Sequence, residues 1–210
     1  MFVINKGGLI TAFVVFYYIC SMKNTLSTSI ISRKLAKGAI FNDEYQGFHE
    51  DYLVLHCLLR LHNPKTLFEI GTNMGTGTMI MKNAVPDCDI YSLDLPTELA
   101  DLSLQHPINE GKGDSVGHRC SLPFTQLRGD SMKFDYSQYK CDAYFIDGEH
   151  DYDHPHHETK EVLKLQPKLI VWHDSDMTDV RKAIDDAFKG VSNYDLFRVT
   201  DTRIAYAIKK

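Results

Sequence analysis

The sequence predicts an α/β fold of three layers, with a mostly parallel seven-stranded sheet between helices and an antiparallel last strand. Three observations carry this. From residue 44 onward, short apolar runs alternate with segments of helical period. The runs are nearly continuous in aliphatic and aromatic residues, as in strands buried on both faces. The last two runs, residues 196–200 and 204–208, flank Asp201-Thr202 and read as a hairpin.

Taken in order, residues 44–62 place Phe48, Tyr52, Leu55, Leu58 and Leu59 at helical spacing. Asn63-Pro64 ends that helix. Residues 66–71 are the first strand, and residues 75–84 the helix after a glycine-rich turn. Residues 89–95 (DIYSLDL) are the second strand, residues 97–104 a short helix, and residues 105–123 a long polar loop. A third strand spans 125–129, a loose helical turn 131–139, and a fourth strand 143–147. Residues 155–165 form a helix with Pro155 in its first turn, where a missing N–H costs little. Residues 169–172 are the fifth strand. Residues 176–188 are a helix capped by Ser175 or Asp176 and stopped at Gly190.

The 210 residues suit one domain, and 43% hydrophobic with 24% charged residues supports a packed core. A net charge of −5 argues against nucleic acid or an anionic membrane as the main partner. Cys20, Cys57, Cys88, Cys120 and Cys141 show no CxxC spacing, which points to free thiols in a reducing compartment and a cytoplasmic location. The expected organisation is an N-terminal apolar segment and linker over residues 1–43, then a domain over residues 44–210. Residues 7–20 are apolar between Lys6 and Lys23, but as a helix they span about 21 Å against a hydrocarbon core of about 30 Å. A membrane anchor, a signal-like segment, a packed helix and a start at Met22 all remain open for this stretch.

In a parallel sheet, ligands bind beyond the carboxyl ends of the strands. Glu69, Asp94, Asp130, Asp147, His173 and Asp174 all fall there. Helix capping accounts for one or two such residues, not for a row on five strands. The first of these ends opens the turn of residues 66–78 (TLFEIGTNMGTGT). Its glycines let backbone approach a ligand closely, and the following helix aims N–H groups at it. A nucleoside cofactor suits this turn. Gly71, Gly75 and Gly77 also fit the turn of short-chain dehydrogenases, and Tyr136 with Lys140 supplies a Tyr-xxx-Lys. That pair follows Gly75 too closely, and no Asn-Ala-Gly follows the fourth strand.

More residues resemble the class I S-adenosylmethionine-dependent methyltransferases. Their Asp/Glu-x-Gly-x-Gly-x-Gly appears as Glu69-x-Gly71-x-Asn73-x-Gly75, with Asn73 in place of the middle glycine. The resemblance implies a Rossmann-like methyltransferase fold. It makes Glu69, Gly71, Asn73, Gly75, Asp94 and Asp130 cofactor-binding, with Asp94 on the ribose hydroxyls and Asp130 near the adenine amino group. A carboxylate suits a diol because it offers two acceptor oxygens. No Lys or Arg lies between Leu67 and Met81 to hold a pyrophosphate, whereas an acid-lined edge suits the cationic S-adenosylmethionine.

The strand ends FIDGEHDYD and LIVWHDSD resemble the small-molecule O-methyltransferase branch, methyltransferase-24-like and related to the catechol and caffeoyl-CoA types. By position, the resemblance makes Asp147, His173 and Asp174 ligands of a divalent metal, Mg or Mn, and makes Asp147 and His150 catalytic. His150 stands where that branch has a lysine base, and His173 where it has a carboxylate. Histidine acts as a base near neutral pH with little tuning. A second reading is that both histidines only orient the loop. The expected reaction is methyl transfer to a small-molecule hydroxyl. An NAD(P)-dependent oxidoreductase and a non-catalytic S-adenosylmethionine-binding protein are the alternatives. Membrane contact is expected only through residues 7–20.

Overall fold

A computed structural model of the chain describes residues 25–27, 49–96 and 116–210. Strand β1 (Thr25–Ser27) precedes helix α1 (His49–His62), β2 (Thr66–Ile70), α2 (Thr76–Ala84), β3 (Asp89–Asp94) and β4 (Thr125–Arg128). A 3-10 turn at Tyr136–Gln138 follows, then β5 (Ala143–Ile146), α3 (Asp153–Leu165), β6 (Leu169–Trp172), α4 (Thr178–Ala187), β7 (Tyr194–Thr200) and β8 (Ala205–Lys209). The sheet order is β1-β7-β8-β6-β5-β2-β3-β4. Strands β2 to β6 are parallel, and β8 runs antiparallel between β6 and β7.

All seven expected strands are present, and the last is antiparallel as expected. Strand β1 is an addition. It lies within the segment read as apolar region and linker, and it pairs in parallel with β7. Three residues carry no readable period; the open edge of β7 supplies the partner. The helix expected over residues 97–104, most of the loop after it, and residues 7–20 lie outside the described residues. Among the described residues no helix is long and apolar enough to cross a membrane. Cys57, Cys88, Cys120 and Cys141 are buried free thiols.

Alternate residues of each buried strand face opposite layers, which is the period-2 geometry of a pleated sheet. Ala143 and Phe145 of β5 pack with Leu55, Leu59, Ile80 and Met81 of α1 and α2. Tyr144 and Ile146 pack instead with Val162, Val180 and Ile184 of α3 and α4. Helix α1 ends where Asn63 turns left-handed (φ 44°) and its N–H reaches Leu59 O at 2.7 Å.

The start of α4 corrects the expected cap. Met177 precedes the helix in an extended conformation, without a side-chain cap bond. Residues 174–177 form a separate turn, with Asp174 left-handed (φ 51°) and the Met177 N–H on Asp174 O at 2.9 Å. Ser175 and Asp176 are consumed in that turn, so neither reaches the capping position.

Glu158 on α3 is fully buried beneath Gly148. Burial pushes its carboxyl up to about 7, against the opposing pull of the Ser131 hydroxyl. A folded-state value above the unfolded one means that stability falls as pH rises from about 4.5 to about 7. Glu158→Gln should therefore match wild type in urea unfolding at pH 4 and exceed it at pH 8 by about 3 kcal/mol. Equal midpoints at both pH values would show that the carboxyl is not held neutral.

Candidate active site

The glycine-rich turn rests on a buried polar network. Glu69 of β2 is 1% exposed. Its carboxyl accepts hydrogen bonds from Thr78 Oγ1 at 2.5 Å and from the Ser92 hydroxyl. The Thr72 and Ser92 hydroxyls are 2.6 Å apart, and Gln126 Nε2 donates to Thr72 Oγ1 and Ser92 O, both at 2.8 Å. Burial pushes Glu69 up to about 8, even though the Ser92 and Thr78 bonds favour its anion. Glu69 thus braces the turn from beneath.

Above it, Gly71 and Gly75 are left-handed, with φ of 95° and 88°. A Cβ on Gly71 would stand 2.0 Å from the Asp147 carbonyl oxygen, and one on Gly75 would stand 2.7 Å from Gly117 Cα. Asn73, which stands where the resembled pattern has its middle glycine, has φ 45°. Asparagine tolerates that left-handed conformation better than most residues, so the backbone of the turn survives the exchange. The Asn73 N–H donates to Asp94 Oδ2 at 2.6 Å, and the Leu95 N–H donates to Asp94 Oδ1 at 2.7 Å. Asp130 accepts from the Met132 N–H and pairs with Lys133 at 2.8 Å; the Lys133 ammonium holds its carboxyl below the usual range.

The order β6-β5-β2-β3-β4 sets the ends bearing His173, Asp147, Gly71, Asp94 and Asp130 side by side on one edge. Neighbouring strands lie about 4.8 Å apart, so the row spans about 19 Å. At its β5–β6 end, His173 Nδ1, Asp147 and Asp174 place one ligand atom each within 4.8 Å of one another. His173 Nδ1 lies 2.8 Å from Asp174 Oδ2 and 3.4 Å from Asp147 Oδ1. His150 Nε2 reaches the same Asp174 oxygen at 2.9 Å, and this bond raises the His150 pKa. Burial opposes ionisation of Asp174, yet the bonds from His150 and His173 hold its carboxyl well below the usual range.

Three participants lie outside the site residues expected from the sequence. Asp51 Oδ2 lies 3.2 Å from His173 Nε2, and Asp51 Oδ1 accepts the Arg203 N–H at 2.8 Å. Arg203 Nη1 donates to Asp174 Oδ1 at 3.0 Å. The Tyr52 ring stacks over His173, with centroids 6.2 Å apart. One clue was available: Asp51 lies on the same helical ridge as Leu55 and Leu58, an acid on an apolar face. Burial alone would lower the pKa of His173, but the carboxylates of Asp147, Asp174 and Asp51 push it up to about 12. The cluster therefore calls for positive charge, whether a proton on His173 or a bound cation in its place.

Other candidates sort away from this edge. His154 pairs with Asp151 and His156 stacks on Tyr152, so the histidine run does not converge. Trp172 is a core residue, its Nε1 donating to Thr159 at 2.9 Å. Tyr152 turns to α4, with its hydroxyl on Asp186. Gly117 and Arg119 of the loop lie over the glycine turn, their N–H groups on Asn73 O and Met74 O at 2.8 and 2.9 Å. A pocket lined by Arg60, Lys65, Pro86 and Asp87 opens where β2 and β3 begin, at the opposite edge.

Residues 68–175, just over half of the chain, match the family model described as "Methyltransferase domain". No curated protein matches the sequence. Among solved structures, the S-adenosylhomocysteine-bound methyltransferase PaMTH1 of Podospora anserina is similar at 15% identity and TM-score 0.53, with 100% of both chains covered. An O-methyltransferase from Bacillus cereus in complex with S-adenosylhomocysteine is similar at 12% identity and TM-score 0.52, covering 99% of this chain and 93% of that one. The O-methyltransferase TomG from Streptomyces achromogenes, in complex with S-adenosylmethionine, is similar at 18% identity and TM-score 0.50, covering 94% and 96%. At these identities the likeness is one of fold.

The close approach at Gly71 is directly testable. Gly71→Ala adds a methyl group against the Asp147 carbonyl in a left-handed residue. The strained φ alone costs about 1–3 kcal/mol, so the urea midpoint should fall. An unchanged midpoint would mean that β2 and β5 separate freely at this point.

Proposed function

The chain belongs to the methyltransferase-domain family, and on that premise we propose that it transfers a methyl group from S-adenosylmethionine to the hydroxyl of a small molecule. The observation that carries this reading is the contact of the Gly71 turn with Asp147, beside the His150–Asp174 pair. A cofactor seated on the turn then ends where a base and its orienting carboxylate stand.

The residues fit S-adenosylmethionine. Gly71, Asn73 and Gly75 keep the backbone open, and Glu69 holds the turn from below. Both Asp94 oxygens take backbone N–H bonds, which fix the carboxylate and leave further lone pairs for ribose hydroxyls. Asp130, next along the edge, is the partner for an adenine amino group. The bound cofactor supplies an electrophilic methyl on a sulfonium.

With the cofactor seated, His150 would take the acceptor's hydroxyl proton while the methyl passes from sulfur to that oxygen, the sulfonium becoming a neutral thioether. Asp174 orients the ring and raises its basicity. Asp147, His173 and Asp174 fit a divalent cation, Mg or Mn, since two carboxylates and an imidazole nitrogen converge. When bound, such a cation lowers the pKa of a coordinated hydroxyl. The net charge of −5 favours a small acceptor over a nucleic acid.

S-adenosylhomocysteine should raise the melting temperature and NAD should not; the reverse would support the oxidoreductase reading. Asp94→Ala should remove the shift. His150→Gln should keep the shift and lower turnover by about 10²–10⁴-fold. Turnover near wild type would remove His150 as the base. EDTA should stop turnover and Mn²⁺ restore it; EDTA-resistant turnover would leave the transfer to His150 without a cation.

A further inference from the structure

We propose that Asp51 is a positioning residue that selects the nitrogen His173 presents to a divalent cation. This rests on the cation reading of the Asp147–His173–Asp174 cluster. Asp51 is 3% exposed and comes from α1, outside the matched residues 68–175. Its Oδ2 faces His173 Nε2 at 3.2 Å, on the side of the ring away from the cluster, while Nδ1 faces Asp147 and Asp174. A carboxylate accepting Nε2–H leaves Nδ1 as the nitrogen whose lone pair is available to a metal. Metal-bound histidines characteristically give their other N–H to such a carboxylate, which fixes the tautomer and the ring plane.

Asp51 is itself fixed. Its second oxygen accepts the Arg203 N–H at 2.8 Å, and the Arg203 side chain reaches round to Asp174 Oδ1 at 3.0 Å. Tyr52 lies over the imidazole face. The ring is thus held at one edge by Asp51 and on one face by Tyr52. Nδ1 faces Asp147 and Asp174 and with them forms a nitrogen-and-two-carboxylate donor set.

Asp51→Asn separates this role from simple packing. The side chain keeps its shape and retains an oxygen for the Arg203 N–H. It now turns an NH₂ toward Nε2. The ring must accept there, carry its proton on Nδ1, and close that position to a metal. The full chain is titrated with Mn²⁺ alone, reading free Mn²⁺ by electron paramagnetic resonance. The variant should bind 10–100-fold more weakly. The melting-temperature shift with S-adenosylhomocysteine should stay that of wild type.

In a His173→Asp background, where the donor needs no tautomer, adding Asp51→Asn should not weaken Mn²⁺ binding. Three results overturn the proposal, and they are distinguishable. A wild type that takes up no Mn²⁺ removes the cation reading and this inference together. A wild type that binds, with the Asp51→Asn variant within twofold of it, removes this inference alone. An equal loss from Asp51→Asn in the His173→Asp background shows that Asp51 acts through the fold and not through His173.

Discussion

The site depends on one steric constraint, the passage of the Gly71 backbone against the carbonyl of Asp147. Strands β2 and β5 are parallel neighbours, and the Asp147 N–H closes their ladder on Ile70 O at 2.8 Å. Beyond that bond, the two chains are too close for any side chain at residue 71. The turn suited to a cofactor and the first residue of the acidic cluster are therefore held together by backbone. Their separation does not depend on how side chains pack elsewhere.

The acids on this edge are handled in two ways. Glu69 sits in the sheet and Glu158 on the buried face of α3, and burial dominates: both carboxyls are raised toward neutrality. Asp174 is buried to a similar degree, yet it stays anionic because His150, His173 and Arg203 converge on it. The first kind shapes the floor of the site without adding charge. The second kind concentrates charge at one point, which is what a cation or a proton-accepting histidine requires.

Much of this was legible in the sequence because it is local. Short runs of four to seven residues marked β2 to β8, and β6 is found at the boundaries expected for it. The row Glu69, Asp94, Asp130, Asp147, His173 and Asp174 followed from the rule that parallel strands present their ends on one edge. What escaped was non-local. Asp51 and Arg203 are 152 positions apart and meet where the Arg203 N–H donates to the Asp51 carboxylate. No motif spans such a distance. Tyr52 was legible as part of an apolar face, but not as a lid on His173. The depth of Glu69 also escaped, because a strand-end carboxylate reads the same whether it points up at a ligand or down into the sheet. β1 was invisible for a simpler reason: three residues have no period.

The tie from Asp51 to Arg203 also has a consequence in time. Chains emerge from the ribosome amino end first. Helix α1 and the strand ends of β2 to β6 are available early, but Arg203 arrives only with the β7–β8 hairpin. Strand β8 must then insert between β6 and β7. Long-range pairing of this kind is among the slowest steps in folding. The acidic cluster thus gains its arginine only after β2 to β6 have emerged, so a nascent chain has the Gly71 turn well before it has the full cluster.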